Sequence, residues 1–134
     1  MLNRLQLPRG RTKRIVLLTL AAFFVVAGVN HFLNPGFYVA IMPSYLPAHL
    51  EFVYLSGLLE ILGGVMVLVP RFRSIAGWGL VVLLVAVFPA NLYMALHPDM
   101  FPAVHAYVLY ARLPLQLLFI AWAYWPTRPD PQAD

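Results

Sequence analysis

Four apolar stretches, each about as long as a bilayer is thick, constrain this chain more than any other feature. They run over residues 15–33, 52–69, 75–96 and 106–125. Each has about the 20 residues that cross ~30 Å of hydrocarbon as a helix. Inside lipid a backbone must satisfy its own polar groups, so such segments default to helices. Composition agrees: 62% of residues are hydrophobic and only 10% are charged, whereas soluble domains carry about 25% charged residues. The expected fold is therefore all-α, a four-helix transmembrane bundle. Its membrane domain covers residues 15–125. A basic segment, 1–14, precedes it, and a polar, proline-rich tail, 126–134, is expected to be disordered.

The first stretch has a basic flank, as a signal peptide would. Its apolar run is longer than the ~7–15 residues of a signal h-region. Asn30-His31-Phe32 and Asn34-Pro35 stand where a small-residue cleavage site would be needed. The stretch reads as a retained helix.

The net charge is +4, but its placement argues for a membrane rather than nucleic acid. Arg4, Arg9, Arg11, Lys13 and Arg14 precede the first span. Arg71 and Arg73 lie in the short connection between the second and third spans, and Arg128 follows the fourth. The other two connections, 34–51 and 97–105, carry no Lys or Arg. The positive-inside rule then places both termini in the cytoplasm and the protein in a plasma membrane of the bacterial inner type. Trp78, Trp122 and Trp125 fall at predicted inner ends, and Tyr54, Tyr93, Tyr107 and Tyr110 toward outer ends, as an interfacial belt requires. The chain has no cysteine, which excludes disulfides, thiol redox relays and thiolate metal sites within it.

The first outer connection holds Pro35, Gly36, Pro43 and Pro47 among Phe37, Tyr38, Val39, Ile41, Met42, Tyr45 and Leu46. It is too apolar for a solvated loop and too broken for a span. It is expected to lie in the interface and cap the bundle.

Within the spans, Glu60 is the outstanding residue. An ionisable group at membrane depth costs roughly 2.5–3.5 kcal/mol on insertion scales and normally faces a partner or cavity. Ser56, Gly57, Glu60, Gly63 and Gly64 share one face at helical spacing. Small residues let a neighbouring helix approach closely, so Glu60 belongs on a packed face. It lies nine residues beyond Glu51, a depth of about 13 Å below the outer boundary. Arg112 and Gln116 lie one turn apart in the fourth span, around Pro114. Pro89 frees the Val85 carbonyl and Asn91 follows; Asn30 and His31 end the first span at the same level. The candidate site is thus Glu60, Arg112, Gln116, Asn91, His31 and Asn30, with Glu60 and Arg112 as the expected ion pair.

Two readings of this layer stand side by side. It is either a buried polar network that locks the bundle, or a ligand or proton site open toward the outer face. His31, His49, His97 and His105 all fall on the predicted outer side, but no pair has metal-motif spacing and no metal is expected. No nucleophile elbow, phosphate loop or dinucleotide fingerprint is present.

Five segments together resemble the DoxX-like family of small four-helix membrane proteins. They are Gly28-Val29-Asn30-His31-Phe32 with Asn34-Pro35; Met42-Pro43 with Tyr45-Leu46-Pro47; Ser56-Gly57 with Glu60-Ile61-Leu62-Gly63-Gly64; Pro89-Ala90-Asn91; and Arg112-Leu113-Pro114-Leu115-Gln116. The resemblance covers residues 15–125. It implies the four-helix fold and, through relatives similar to subunits of quinone-linked oxidoreductases, an accessory subunit that binds a quinone-like or lipid-like molecule. It equally implies an assembly or scaffolding factor for a membrane complex, because the wider family includes both. A membrane oxidoreductase or another membrane complex would be the partner. A stand-alone enzyme is the weakest reading, since no resident cofactor site is legible.

Overall fold

The computed structural model describes residues 6–40, 42, 45–102 and 105–130. Arg4, Ile41 and Pro43, named above, and the last four residues of the expected tail lie outside the described residues. Five α-helices follow one another: α1 (Arg11–Leu33), α2 (Pro35–Ala40), α3 (His49–Met66), α4 (Arg73–Leu96) and α5 (Ala106–Tyr124). Pro98–Met100 and Trp125–Thr127 form 3-10 turns, and no strand occurs among the described residues. All except α2 are long and apolar enough to cross a membrane. The bundle of four long helices expected from hydropathy is thus present. α1, α3 and α4 begin two to four residues earlier than expected, because helical hydrogen bonding continues into the flanks, whereas α3 ends at Met66, three residues before the end of its apolar run.

The helices pair unequally. α1 packs most extensively on α3, and α4 on α5. Glycines set the first pair. A Cβ at Gly57 would fall 2.7 Å from His31 Cβ and 2.9 Å from the Gly28 carbonyl oxygen, and one at Gly64 would fall 2.9 Å from the Ala21 carbonyl oxygen. Only bare backbone permits this approach. The small-residue face of α3 therefore divides among three neighbours. Gly57 and Gly64 meet α1, Gly63 meets Leu80 of α4, and Ser56 and Glu60 face a cavity.

The apolar core fills one half of the bundle. Leu17, Leu20, Ala21, Phe24, Val67, Leu80 and Ala123 are buried there as a single cluster. Trp122 lies against it and donates its indole N–H to the Val16 carbonyl at 3.0 Å.

The same half carries the first and last described residues and the α3–α4 turn, held by long-range polar bonds. Lys13 Nζ donates to the Arg128 carbonyl at 2.8 Å and to Asp130 Oδ1 at 2.9 Å. That hydrogen bond, with one from the Arg9 backbone N–H, holds the Asp130 carboxyl below the usual carboxylate range. Arg73 donates to the carbonyls of Gln6, Val67 and Leu68, and Arg128 to the Ser74 carbonyl at 2.7 Å. The Arg128 guanidinium also lies over the rings of Trp78 and Tyr124.

The expected disordered tail needs correction as far as Asp130. Pro126 and Thr127 are buried, and Thr127 packs into the space left by Gly77. Thr127 Oγ1 donates back to the Ala123 carbonyl at 2.7 Å. Polar composition suggested solvation, but these residues find partners on α4 and α5.

Candidate functional site

The other half of the bundle holds a cavity beside a smaller buried cluster of Met94, Phe101 and Leu109. The cavity measures about 440 Å³ and is walled by α1, α3, α4 and α5, with residues of the α1–α3 connection. Its lining is mostly aliphatic, and its polar side chains are few: His31, Tyr38, Ser56, Glu60, Asn91 and Arg112. A pocket of roughly 300–1,000 Å³ with an apolar lining and a few convergent polar groups is the usual form of a small-molecule site.

Tyr38 comes from α2, the short helix that the connection forms after Asn34. Its ring stacks on the His31 imidazole with centroids 3.8 Å apart. Its hydroxyl accepts a hydrogen bond from Asn30 Nδ2 at 2.6 Å, and Asn34 Nδ2 in turn donates to Asn30 Oδ1 at 2.7 Å. Met42 and Leu46 from the same connection also line the cavity. The connection covers the cavity, as its apolar composition predicts; Tyr38 fastens it to α1, and Tyr45 packs edge-on against Tyr93 of α4.

Glu60 does not form the expected pair with Arg112. Among the described residues its close neighbour is His31, whose Nδ1 lies 3.1 Å from Oε2. The contact is not a hydrogen bond. His31 Nδ1 lies 2.7 Å from the Ala27 carbonyl, which can only accept, so the single hydrogen on that nitrogen points there. Oε2 is buried and without a hydrogen-bond partner among the described residues. The glycine contacts of α1 and α3 explain the substitution of His31 for Arg112. They bring His31 against the α3 face that carries Glu60, whereas Arg112 enters the cavity from α5.

Arg112 is half-buried, and no carboxylate lies within ion-pair distance of it among the described residues. Its Nη1 donates to the weak acceptor Met94 Sδ at 3.8 Å. The cavity thus contains a carboxylate and a guanidinium that meet the same space but not each other.

The two remaining expected residues support the site from outside. Gln116 is buried and does not line the cavity. Its Oε1 accepts from Asn91 Nδ2 at 2.7 Å, and its Nε2 donates to the Leu84 carbonyl at 2.6 Å. That carbonyl adjoins the one freed by Pro89, and α4 continues through this proline. Gln116 therefore ties α5 to α4 and orients Asn91 at the cavity wall. Asn30 likewise acts through Tyr38. Tyr38 and Ser56 belong to the lining although neither was singled out from sequence as a site residue. For Ser56 the signal was available, one turn before Glu60 on the same face.

The fold and site define a class: an all-helical bundle, with four helices long and apolar enough to cross a membrane, enclosing a capped cavity with separated acidic and basic groups. The chain belongs to the family described as "Domain of unknown function (DUF8561)", whose model matches residues 20–127. That span runs from within α1 to the last 3-10 turn and so includes every cavity residue. No curated protein and no solved structure matches the chain.

Proposed function

We propose that the protein is an integral membrane protein that holds a quinone-like or lipid-like small molecule in the cavity beside Glu60 and Arg112. The observation that carries this is a Glu60 Oε2 without a hydrogen-bond partner among the described residues, in a cavity that also holds a guanidinium with no carboxylate partner among them. A buried polar atom left without a hydrogen bond costs about 1–3 kcal/mol, and more when charged. A ligand with a hydroxyl for Glu60 and an acceptor oxygen for Arg112 would satisfy both groups. The aliphatic lining suits the rest of such a molecule, which would reach the site from the bilayer.

The resemblance to DoxX-like proteins supports an accessory role beside a membrane oxidoreductase or another membrane complex. The alternative, a purely structural ion pair in an assembly factor, loses its central contact, since Glu60 and Arg112 do not pair. The basic end of the bundle, with Lys13, Arg71, Arg73 and Arg128, suits a cytoplasmic placement of both termini.

Native mass spectrometry of protein extracted in mild detergent tests the reading. The wild type should carry a co-purified quinone or lipid that is lost in Glu60→Gln and in Arg112→Gln. A wild type that carries none refutes it.

A further inference from the structure

The cavity has a continuation. Leu59 and Leu83 line it and also line a second cavity of about 220 Å³, farther along the same α3–α4 seam. Leu62, Gly63, Ile75 and Gly79 contribute to this second space, which no polar side chain among the described residues lines. Two glycines shape this space. Gly63 lets Leu80 fit against α3, and a Cβ at Gly79 would meet no atom within 4 Å. The seam is open along its side. Leu59, Leu62 and Ile75 are 44%, 50% and 70% exposed. From Leu59 to Met66 the helix advances about 10 Å.

We propose that the two cavities are the head and tail subsites of one molecule. The occupant is a single-tailed amphiphile. Its compact head offers a hydroxyl to Glu60 and a carbonyl or phosphoryl oxygen to Arg112. Its hydrocarbon tail runs down the α3–α4 seam toward the turn at residues 67–72. This rests on the cavity being a ligand site and adds the class of ligand, its direction and its way in. The polar chemistry is confined to the first cavity and the apolar lining to the second, which is the division such a molecule carries. The shared leucines make the path continuous. The exposed seam lets a membrane-dissolved tail slide in sideways, so the head need not cross the Tyr38 cap.

Gly79→Leu provides the test, because Gly79 lines the second cavity and not the first, and a Cβ there would meet no atom within 4 Å. Binding to nanodisc-embedded protein is measured for palmitoyl and butyryl monoglyceride, and for a benzoquinol, kept reduced, with a long or a single-unit isoprenoid tail. These arms distinguish a lipid head from a quinone head. Gly79→Leu should keep the wild-type thermal stability and weaken the long-tailed member of the binding pair by about tenfold or more, since several methylenes lose their burial. The short-tailed member should bind the variant and the wild type alike. Equal binding of the long-tailed compound to both proteins overturns the tail subsite and leaves the head site standing. Failure of the wild type to retain any of the four overturns the ligand site itself, and this inference with it.

Discussion

Glu60 Oε2 and His31 Nδ1 stand 3.1 Å apart without sharing a hydrogen. The imidazole is committed to Ala27, so Glu60 Oε2 is buried with little compensation among the described residues. Removing it should relieve the ligand-free protein. Glu60→Leu is expected to keep stability within about 1 kcal/mol of wild type, or raise it, while abolishing ligand retention. A structural ion pair would instead lose ~3–5 kcal/mol on breakage. Unfolding of ligand-stripped protein in a fixed detergent separates the two results.

The α1–α3 crossing should tolerate no added atom. Gly57→Ala places a methyl within 3 Å of both His31 Cβ and the Gly28 carbonyl. We expect a loss of about 1–3 kcal/mol and a displaced His31. Gly36→Ala, whose new atom meets nothing within 4 Å, should be neutral or gain up to about 1 kcal/mol in a helix. Equal effects of the two would refute the close crossing.

Tyr38 holds the cap by two contacts that one pair of variants separates. Tyr38→Phe keeps the stack on His31 and loses the bond from Asn30. It should cost about 0.5–1.5 kcal/mol and leave ligand exchange close to wild type. Tyr38→Ala loses both, and ligand release measured by stopped-flow should accelerate markedly. Unchanged release in Tyr38→Ala would mean that the ligand leaves along the α3–α4 seam and not past α2.

Asn91 and Gln116 should behave as a unit. Gln116→Leu leaves Asn91 Nδ2 without its acceptor at a buried position, at about 1–3 kcal/mol. Asn91→Leu combined with Gln116→Leu should cost less than the sum of the singles, with a coupling of about 0.5–3 kcal/mol. Strict additivity in the double-mutant cycle would show that the bond contributes nothing.

Single cysteines give topology cleanly, because the chain has none of its own. A cysteine replacing Arg71 should resist an impermeant maleimide added outside intact cells, and one replacing Asp99 should react. Both positions are exposed. The reverse pattern would invert the proposed orientation.

Sequence reveals depth better than azimuth. Hydropathy located the four long helices because bilayer thickness sets their length, and the basic residues grouped one end. Helical rise placed Glu60, His31, Asn91 and Arg112 at one level, and the structure gathers those four around one cavity. Their pairing was not legible. Rise along an axis does not say which helix a side chain faces, and the neighbour of Glu60 was decided by glycines that seat α1 on α3. The α3 glycines were read as one face, but they serve two partners. Tyr38 appeared only as one aromatic among several in a proline-broken connection. Its role depends on α2, whose six residues are too short for a periodicity to show.

The bonds that join Lys13, Arg73 and Arg128 across the chain ends act like the pivot of a pair of tongs. The α1–α3 and α4–α5 pairs are its two arms, and the cavity sits between their tips. A 23-residue arm such as α1 is about 35 Å long. Opening by about 5° at the pivot would separate the tips by about 3 Å. The leverage of that geometry would let one scaffold grip headgroups of different width.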